Sequence, residues 1–479
     1  MVERLGPDDL AFLVGESAST PMHNATLEIF EPGELDHERL LALVADRIAF
    51  VPRYRQRVRS VPGRLANPVW VDDEDFDLTY HVRRSALPRP GSTEQLLDLT
   101  ARIVSRRLDR HRPLWEAYLI EGLEADRSAL LVKSHQILVD GVSTVDLGQV
   151  VLDDGPVPRE TVPVAWRPHQ EPRPSVLVAG AVRDAVRDPR AAASTLVDNA
   201  GSAARTLGAV GSRVGELAAL LANRGGTSES PFHTRLSEQR RVVTVSTPLA
   251  AYRAVRRFHG GTVNDVVLAT VTGGLRTWLL TRAESVHGSR SVRALVPLSV
   301  LDSELEATSL GSQVVGTMLN LPVGEASPVV RLHQVSYALK AHRETGRAVS
   351  ADRLAGVSGF APTTFHALGA RVALAQARRG FDLVVTNVPG PQVPLYAAGA
   401  RMTESYPVPS LVAGHALAIG VTSYDGGVYF GLTGDRDAMP DLDVLGQCLT
   451  EALEELVEST SPSRPRAPRG RRTSPGAGA

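Results

Sequence analysis

Apolar residues recur along the chain at two spacings, and the change of spacing marks its elements. Met22 to Phe30 alternate and read as a strand. Asp36 stands where a helix N-cap belongs, ahead of Leu40, Val44 and Ile48 on one face. Ser92-Thr93-Glu94-Gln95 has the form of a capping box and opens a helix whose face is Leu96, Leu99 and Ile103. Two strands follow, Trp115 to Ile120 and Ala129 to Lys133, with Trp115 read as a core residue. A polar turn then leads to a helix from about Ser143 to Leu152. Strands alternating with helices predict an α/β unit over residues 1–155.

The pattern lapses between Asp153 and Pro174, where clustered prolines mark a linker. Residues 156–239 read as a Pro-rich, then Ala/Arg-rich, helical connector. Within it Leu196, Ala200, Ala203, Leu207, Val210 and Val214 are spaced alternately by four and three, continuing to Leu221. This stripe suits a helix packed on its own domain, or one lying on a membrane surface or a second copy. A second α/β unit is predicted over 240–458. There the uncharged run Ser405–Tyr424 reads as a loop and a buried strand entering a tight turn at Asp425-Gly426-Gly427, with Val428 to Thr433 returning. Its prolines and glycines argue against a membrane span. Leu442, Leu445, Leu449, Ala452 and Leu456 give the last helix its apolar face. Residues 459–479, with five arginines and no acid, read as a disordered tail.

Composition narrows the function. The 479 residues carry 52 basic and 53 acidic side chains, which argues against nucleic acid as the main partner. Only Lys133 and Lys340 are lysines, a bias that reads as GC-rich coding. The single cysteine, Cys448, excludes an internal disulfide and a cysteine-built zinc site, and no metal is expected. The first residues show no basic region followed by an apolar one, so no secretory signal is expected. No P-loop, G-x-S-x-G elbow, H-E-x-x-H or Rossmann fingerprint occurs.

The chemistry concentrates in Leu130-Leu131-Val132-Lys133-Ser134-His135-Gln136-Ile137-Leu138-Val139-Asp140-Gly141. An apolar strand delivers a histidine to its end, and Asp-Gly turns the chain into a helix. This segment resembles the HHxxxDG motif of CoA-dependent acyltransferases of the chloramphenicol acetyltransferase and condensation-domain type. More narrowly, the chain resembles the bacterial wax ester synthase/diacylglycerol acyltransferase family. Gly6 to Leu13, Thr20 to His23, the Pro113-Leu114-Trp115 segment, Thr262 to Ala269 around Asn264-Asp265, and Val384 to Pro391 carry the likeness, in order, as far as about Val457.

The resemblance implies two chloramphenicol-acetyltransferase-like α/β domains with mixed sheets flanked by helices and a site between them. Acyl-CoA enters from one side as co-substrate, with no further cofactor, and a hydroxylated lipid acceptor from the other. The motif's second histidine takes the acceptor proton, the hydroxyl attacks the thioester, and CoA leaves. Asp140 and Gly141 shape the loop, and Asn264 and Asp265 line the site from the second half. Asn264 also reads as a helix cap. Cytoplasmic placement is implied, with peripheral contact at the inner membrane or lipid inclusions.

Aligning on Lys133 and Asp140-Gly141 puts His135 at the first histidine position and Gln136 at the second. A glutamine amide accepts no proton near neutral pH. Adjacent residues of a regular strand point to opposite faces, so His135 replaces the base only across a bulge or in a shifted register. His23 and His415 are further candidates to enter the cleft. The expected activity is long-chain acyl transfer to diacylglycerol or a fatty alcohol. The alternatives are a catalytically weak lipid- or acyl-CoA-binding member and a carrier-protein-dependent condensation catalyst.

Overall fold

The computed structural model describes residues 3–33, 35–138, 147–161, 166–187, 230–299, 314–342 and 380–461. The first half supplies β1 (His23–Phe30), β2 (Gln56–Arg59), β3 (Val69–Asp72), β4 (Val82–Ala86), β5 (Trp115–Glu121) and β6 (Ser128–His135). The second supplies β7 (Arg240–Pro248), β8 (Val292–Ser299), β9 (Val314–Leu321) and β10 (Leu383–Pro389). It continues with β11 (Tyr396–Ala397), β12 (Ala400–Val408), β13 (Leu417–Tyr424) and β14 (Gly427–Asp435). One six-stranded sheet runs β11-β12-β1-β6-β5-β4 and the other β7-β14-β13-β10-β8-β9, with β2 and β3 forming a small pair. Both sheets are mixed: β4 lies parallel to β5, and β10 lies parallel to β8 and β13. Helices flank both, so the fold is α/β as the spacing predicts.

Local chemistry explains the element starts. Asp36 accepts from the Arg39 amide at 2.8 Å and caps the helix His37–Arg47. Ser92 and Gln95 form the capping box of the helix Thr93–Val104. Such caps contribute about 1 kcal/mol each. Asp425 and Gly426, both at positive φ, turn β13 into β14.

The halves are not independent. β11 and β12 follow residue 240 in the chain but complete the first sheet, where Glu28 pairs with Ser405 and Thr26 with Pro407. Residues 405–408, expected to be loop, are thus the end of a strand. Their prolines misled because β11 pairs only with Ala400 and Arg401, so Pro407 has one strand neighbour and its missing N–H is tolerated. Val242, Tyr424 and Tyr429 of the second sheet also enter the first hydrophobic core. Asp153, at the start of the proline-rich run, is anchored. Its carboxylate meets Arg47 Nη2 at 2.8 Å, both side chains buried, and its backbone pairs with Tyr396. Asp140, Gly141, the 196–221 stripe and residues 462–479 lie outside the described residues. Of the helix expected from Ser143, Leu147–Val151 is described as helical.

Candidate active site

β6 is a central strand between β1 and β5, and its apolar residues are buried on both faces. Lys133 and His135 leave it on one face, and His23 of β1 stands opposite His135. This face packs on the end of the helix Thr93–Val104. Lys133 Nζ donates to the carbonyls of Ile103 (3.2 Å) and Arg106 (2.5 Å), and His23 Nε2 donates to that of Val104 (2.9 Å). Terminal helix carbonyls lack intrahelical partners and carry partial negative charge, so donors and cations suit them. Burial pushes the Lys133 ammonium down to about 8, with Glu116 drawing it part of the way back. Burial, then Lys133 and His135, holds His23 well below the usual histidine range. His23 is therefore a neutral, structural donor.

His135 Nδ1 accepts from the Ile137 amide at 3.2 Å, and Nε2 lies 3.9 Å from Glu16 Oε1. Glu16 follows the helix Pro7–Gly15. Its carboxylate accepts from Arg110 Nε (3.0 Å) and Nη2 (2.6 Å) and from the Met22 amide (3.3 Å).

Gln136 turns the other way, at the start of the 3-10 turn Gln136–Leu138. Its Nε2 donates to Ser410 Oγ at 2.9 Å. The Ser410 amide and hydroxyl both approach Asn24 Oδ1, at 3.4 and 3.5 Å. The Ser410 proton therefore points to Asn24 and its lone pair to Gln136, which fixes the Gln136 amide with nitrogen toward Ser410. Gln136 Oε1 is buried and has no hydrogen-bond partner among the described residues. A buried acceptor left so costs about 1–3 kcal/mol. Asn24 Nδ2 is likewise buried without a hydrogen bond among the described residues, and His135 Nε2 is buried at 3.9 Å from Glu16, so the strand end as a whole has capacity for a polar ligand.

The second half holds a polar pair of its own. Asn264 Oδ1 accepts from Asn387 Nδ2 of β10 at 2.7 Å. Thr386, the residue before Asn387, pairs with Gly420 of β13, and a Cβ at Gly420 would stand 2.9 Å from Pro407 and 3.3 Å from Pro409, the residue before Ser410. The Thr386 face of β10 is therefore the one toward Ser410, and Asn387 is on the other, with Asn264. Asn264 is not the helix cap. Thr262 caps the helix Val263–Thr281, and Asp265 closes the capping box. Both Asp265 oxygens accept from Thr262, and Ser336 Oγ donates to Oδ2 at 2.8 Å. Asp265 thus ties two helices together. The Thr262-Val263-Asn264-Asp265 spacing carries that signal. His415 sets both ring nitrogens against the carbonyls of Ala413 and Phe381 and stacks on Phe381. Trp115 is fully buried, its Nε1 donating to the Tyr54 carbonyl. Ser410, Asn24 and Glu16 were not singled out in the sequence. Only Asn387, polar within the apolar run Val384–Val388, offers a local signal.

Two mixed sheets, the first completed by strands from the second half of the chain, with His135 at the end of a central strand, define a chloramphenicol-acetyltransferase-like fold. Residues 5–267 match the wax ester synthase/diacylglycerol acyltransferase catalytic domain, and residues 310–457 match the C-terminal domain of the same family. A probable diacylglycerol O-acyltransferase of Mycobacterium tuberculosis is 32% identical over 462 residues, 95% of this chain and 98% of that one. The wax ester synthase/diacylglycerol acyltransferase of Marinobacter aquaeolei VT8 superposes with a TM-score of 0.65 at 28% identity, covering 95% of this chain and 99% of that one. The first condensation domain of the CDA synthetase shares the fold, at a TM-score of 0.51 and 17% identity over 96% of this chain and 97% of that one. The chain belongs to the wax ester synthase/diacylglycerol acyltransferase family. No helix among the described residues is long and apolar enough to cross a membrane.

Proposed function

We propose that the protein transfers a long-chain acyl group from acyl-CoA to the hydroxyl of diacylglycerol or a fatty alcohol, giving triacylglycerol or a wax ester. The observation that carries the mechanism is the buried, unpartnered Gln136 Oε1 at the motif's second histidine position. The acceptor hydroxyl donates to this oxygen and is held there. Its oxygen attacks the thioester carbonyl, the C–O bond forms, the C–S bond breaks, and the hydroxyl proton ends on the CoA sulfur. A thiol of pKa about 8.5 is a sufficient final acceptor. Gln136 orients and does not take the proton. Well-oriented reactants reach effective molarities of about 10⁵–10⁸ M, against about 10²–10⁴-fold for a general base.

Asn264, its Oδ1 occupied by Asn387, keeps its amide hydrogens as donors, and we assign them to the thioester oxygen. Asp140 and Gly141 shape the loop after His135. Asp265 supports the site from the helix start rather than touching substrate. No cofactor beyond acyl-CoA enters this scheme. Lipid substrates imply peripheral contact with the inner membrane or a lipid inclusion. The alternative raised by the sequence, a lipid- or acyl-CoA-binding member with little turnover, is favoured by no further observation.

CoA release from long-chain acyl-CoA, with diacylglycerol or a fatty alcohol, separates the two. The parent is expected to turn over at a rate with no step near pH 6.5. Gln136→His is expected to raise kcat by about 10²-fold or more and to add a step near 6.5. A parent that releases no CoA, beside a Gln136→His variant that does, supports the binding protein. Full loss in His135→Ala with unchanged melting temperature and a pH step in the parent makes His135 the base and overturns the role given to Gln136.

A further inference from the structure

On the Glu16 side of His135, away from Ser410, lies a cleft of about 470 Å³. That volume lies within the roughly 300–1,000 Å³ of small-molecule pockets. Leu10, Leu13, Val58, Val61 and Leu114 line it with apolar surface. Arg57, Arg59, Arg64 and Arg110 also line it, with Glu16 the one acid among the lining residues. The helix Pro7–Gly15, the strand β2 with the turn after it, and the segment before β5 supply these groups.

We propose that this cleft binds a single-chain amphiphile with an anionic head, its alkyl chain along Leu13, Val61 and Leu114 and its carboxylate or phosphate on Arg59, Arg64 and Arg110. The arginine fork matches both anions. Arg59 is held by Glu171 at 2.8 Å and Arg110 by Glu16, and these two arginine side chains are 45% and 43% exposed. The Arg59–Glu171 pair, 45% and 25% exposed, contributes about 0–1 kcal/mol, so an incoming head displaces Glu171 at little cost. The Glu16 side chain is 1% exposed, so Arg110 keeps that carboxylate and meets the head through its remaining N–H donors. The mouth is apolar as well as basic. Val14 lines it at 43% exposure, and Leu65, 41% exposed, sits between the lining residues Arg64 and Ala66. Exposed apolar groups beside cations suit a lipid surface from which such a molecule is drawn. Inorganic phosphate gains nothing from the floor, and an uncharged alcohol gains nothing from the rim.

The site uses neither Gln136 nor Ser410, so it stands or falls apart from acyl transfer. The test cross-links a diazirine-bearing dodecyl phosphate to the full chain and maps the labelled peptides. Label is expected within residues 10–16 and 57–66. Dodecyl phosphate or dodecanoate should compete, and whichever competes names the head. Dodecanol should compete about tenfold more weakly or worse. Ser60→Trp, which fills the cleft from an exposed position just after β2, and Arg59→Glu should each abolish labelling while melting temperature and CoA release stay at parent values. Labelling that survives both substitutions, lies only on other peptides, or yields to inorganic phosphate alone overturns the proposal.

Discussion

β6 ends at His135 and Gln136 opens the 3-10 turn after it, yet the two side chains part as alternate strand positions would. His135 Nε2 lies 3.9 Å from Glu16 and Gln136 donates to Ser410, so the two side chains face different surroundings. The alternation was legible from sequence. The Gln136 partner was not, because Ser410 arrives from 274 positions away in a proline-rich loop. A second residue carries a prediction about stability. His81 is stacked between Phe76 and Trp115, with ring centroids 5.2 and 4.7 Å away, and its Nδ1 donates to the Trp115 carbonyl at 2.7 Å. Burial lowers its pKa to about 4. Unfolded histidine protonates near 6.5, so between those values unfolding takes up a proton. Stability is complete above pH 6.5 and falls as the pH drops toward 4, by up to about 3 kcal/mol from this group. The lowered pKa of His23 acts in the same direction. Urea midpoints at pH 7 and pH 5 should differ markedly in the parent and less in His81→Asn, which keeps a donor for the Trp115 carbonyl.

Elements set by local chemistry were readable, and elements set by distant partners were not. Asp36, the Ser92 box and the Asp425-Gly426 turn each act within four residues of themselves, so their signals lie in the sequence. β12 is different. Periodicity reports that a segment is extended and which side is buried, but not which sheet it joins. What marks the true position of β12 is a pair of glycines on the strands it touches. A Cβ at Gly420 would press on Pro407, and one at Gly431 would collide with the Pro407 carbonyl. Tyr424 and Tyr429 then close the contact by donating to the carbonyls of Met402 and Thr403, each at 3.0 Å. Gly431→Ala should cost at least about 1–3 kcal/mol by overpacking, read as a lower melting temperature. Gly426→Asn, in a turn where an added Cβ meets open space and asparagine tolerates positive φ, should lose much less.

At the scale of the molecule, near-neutral charge and two α/β regions were legible, whereas the exchange of β12 was not. The exchange makes the first half incomplete by itself, since β1 then has an unpaired edge. Residues 1–239 expressed alone should aggregate, and coexpression with residues 230–479 should restore soluble complex on gel filtration. A soluble, monomeric first half would show that β12 is dispensable to it. The same exchange governs how the seam is able to open. Besides the connector, the chain crosses between the halves just before β11 and again just after β12. A rotation of one half against the other therefore pivots about β12. Points beside a pivot move least and points far from it move most. Gln136 and Ser410 sit beside it, so a widening of the seam at its outer rims leaves their 2.9 Å contact in place.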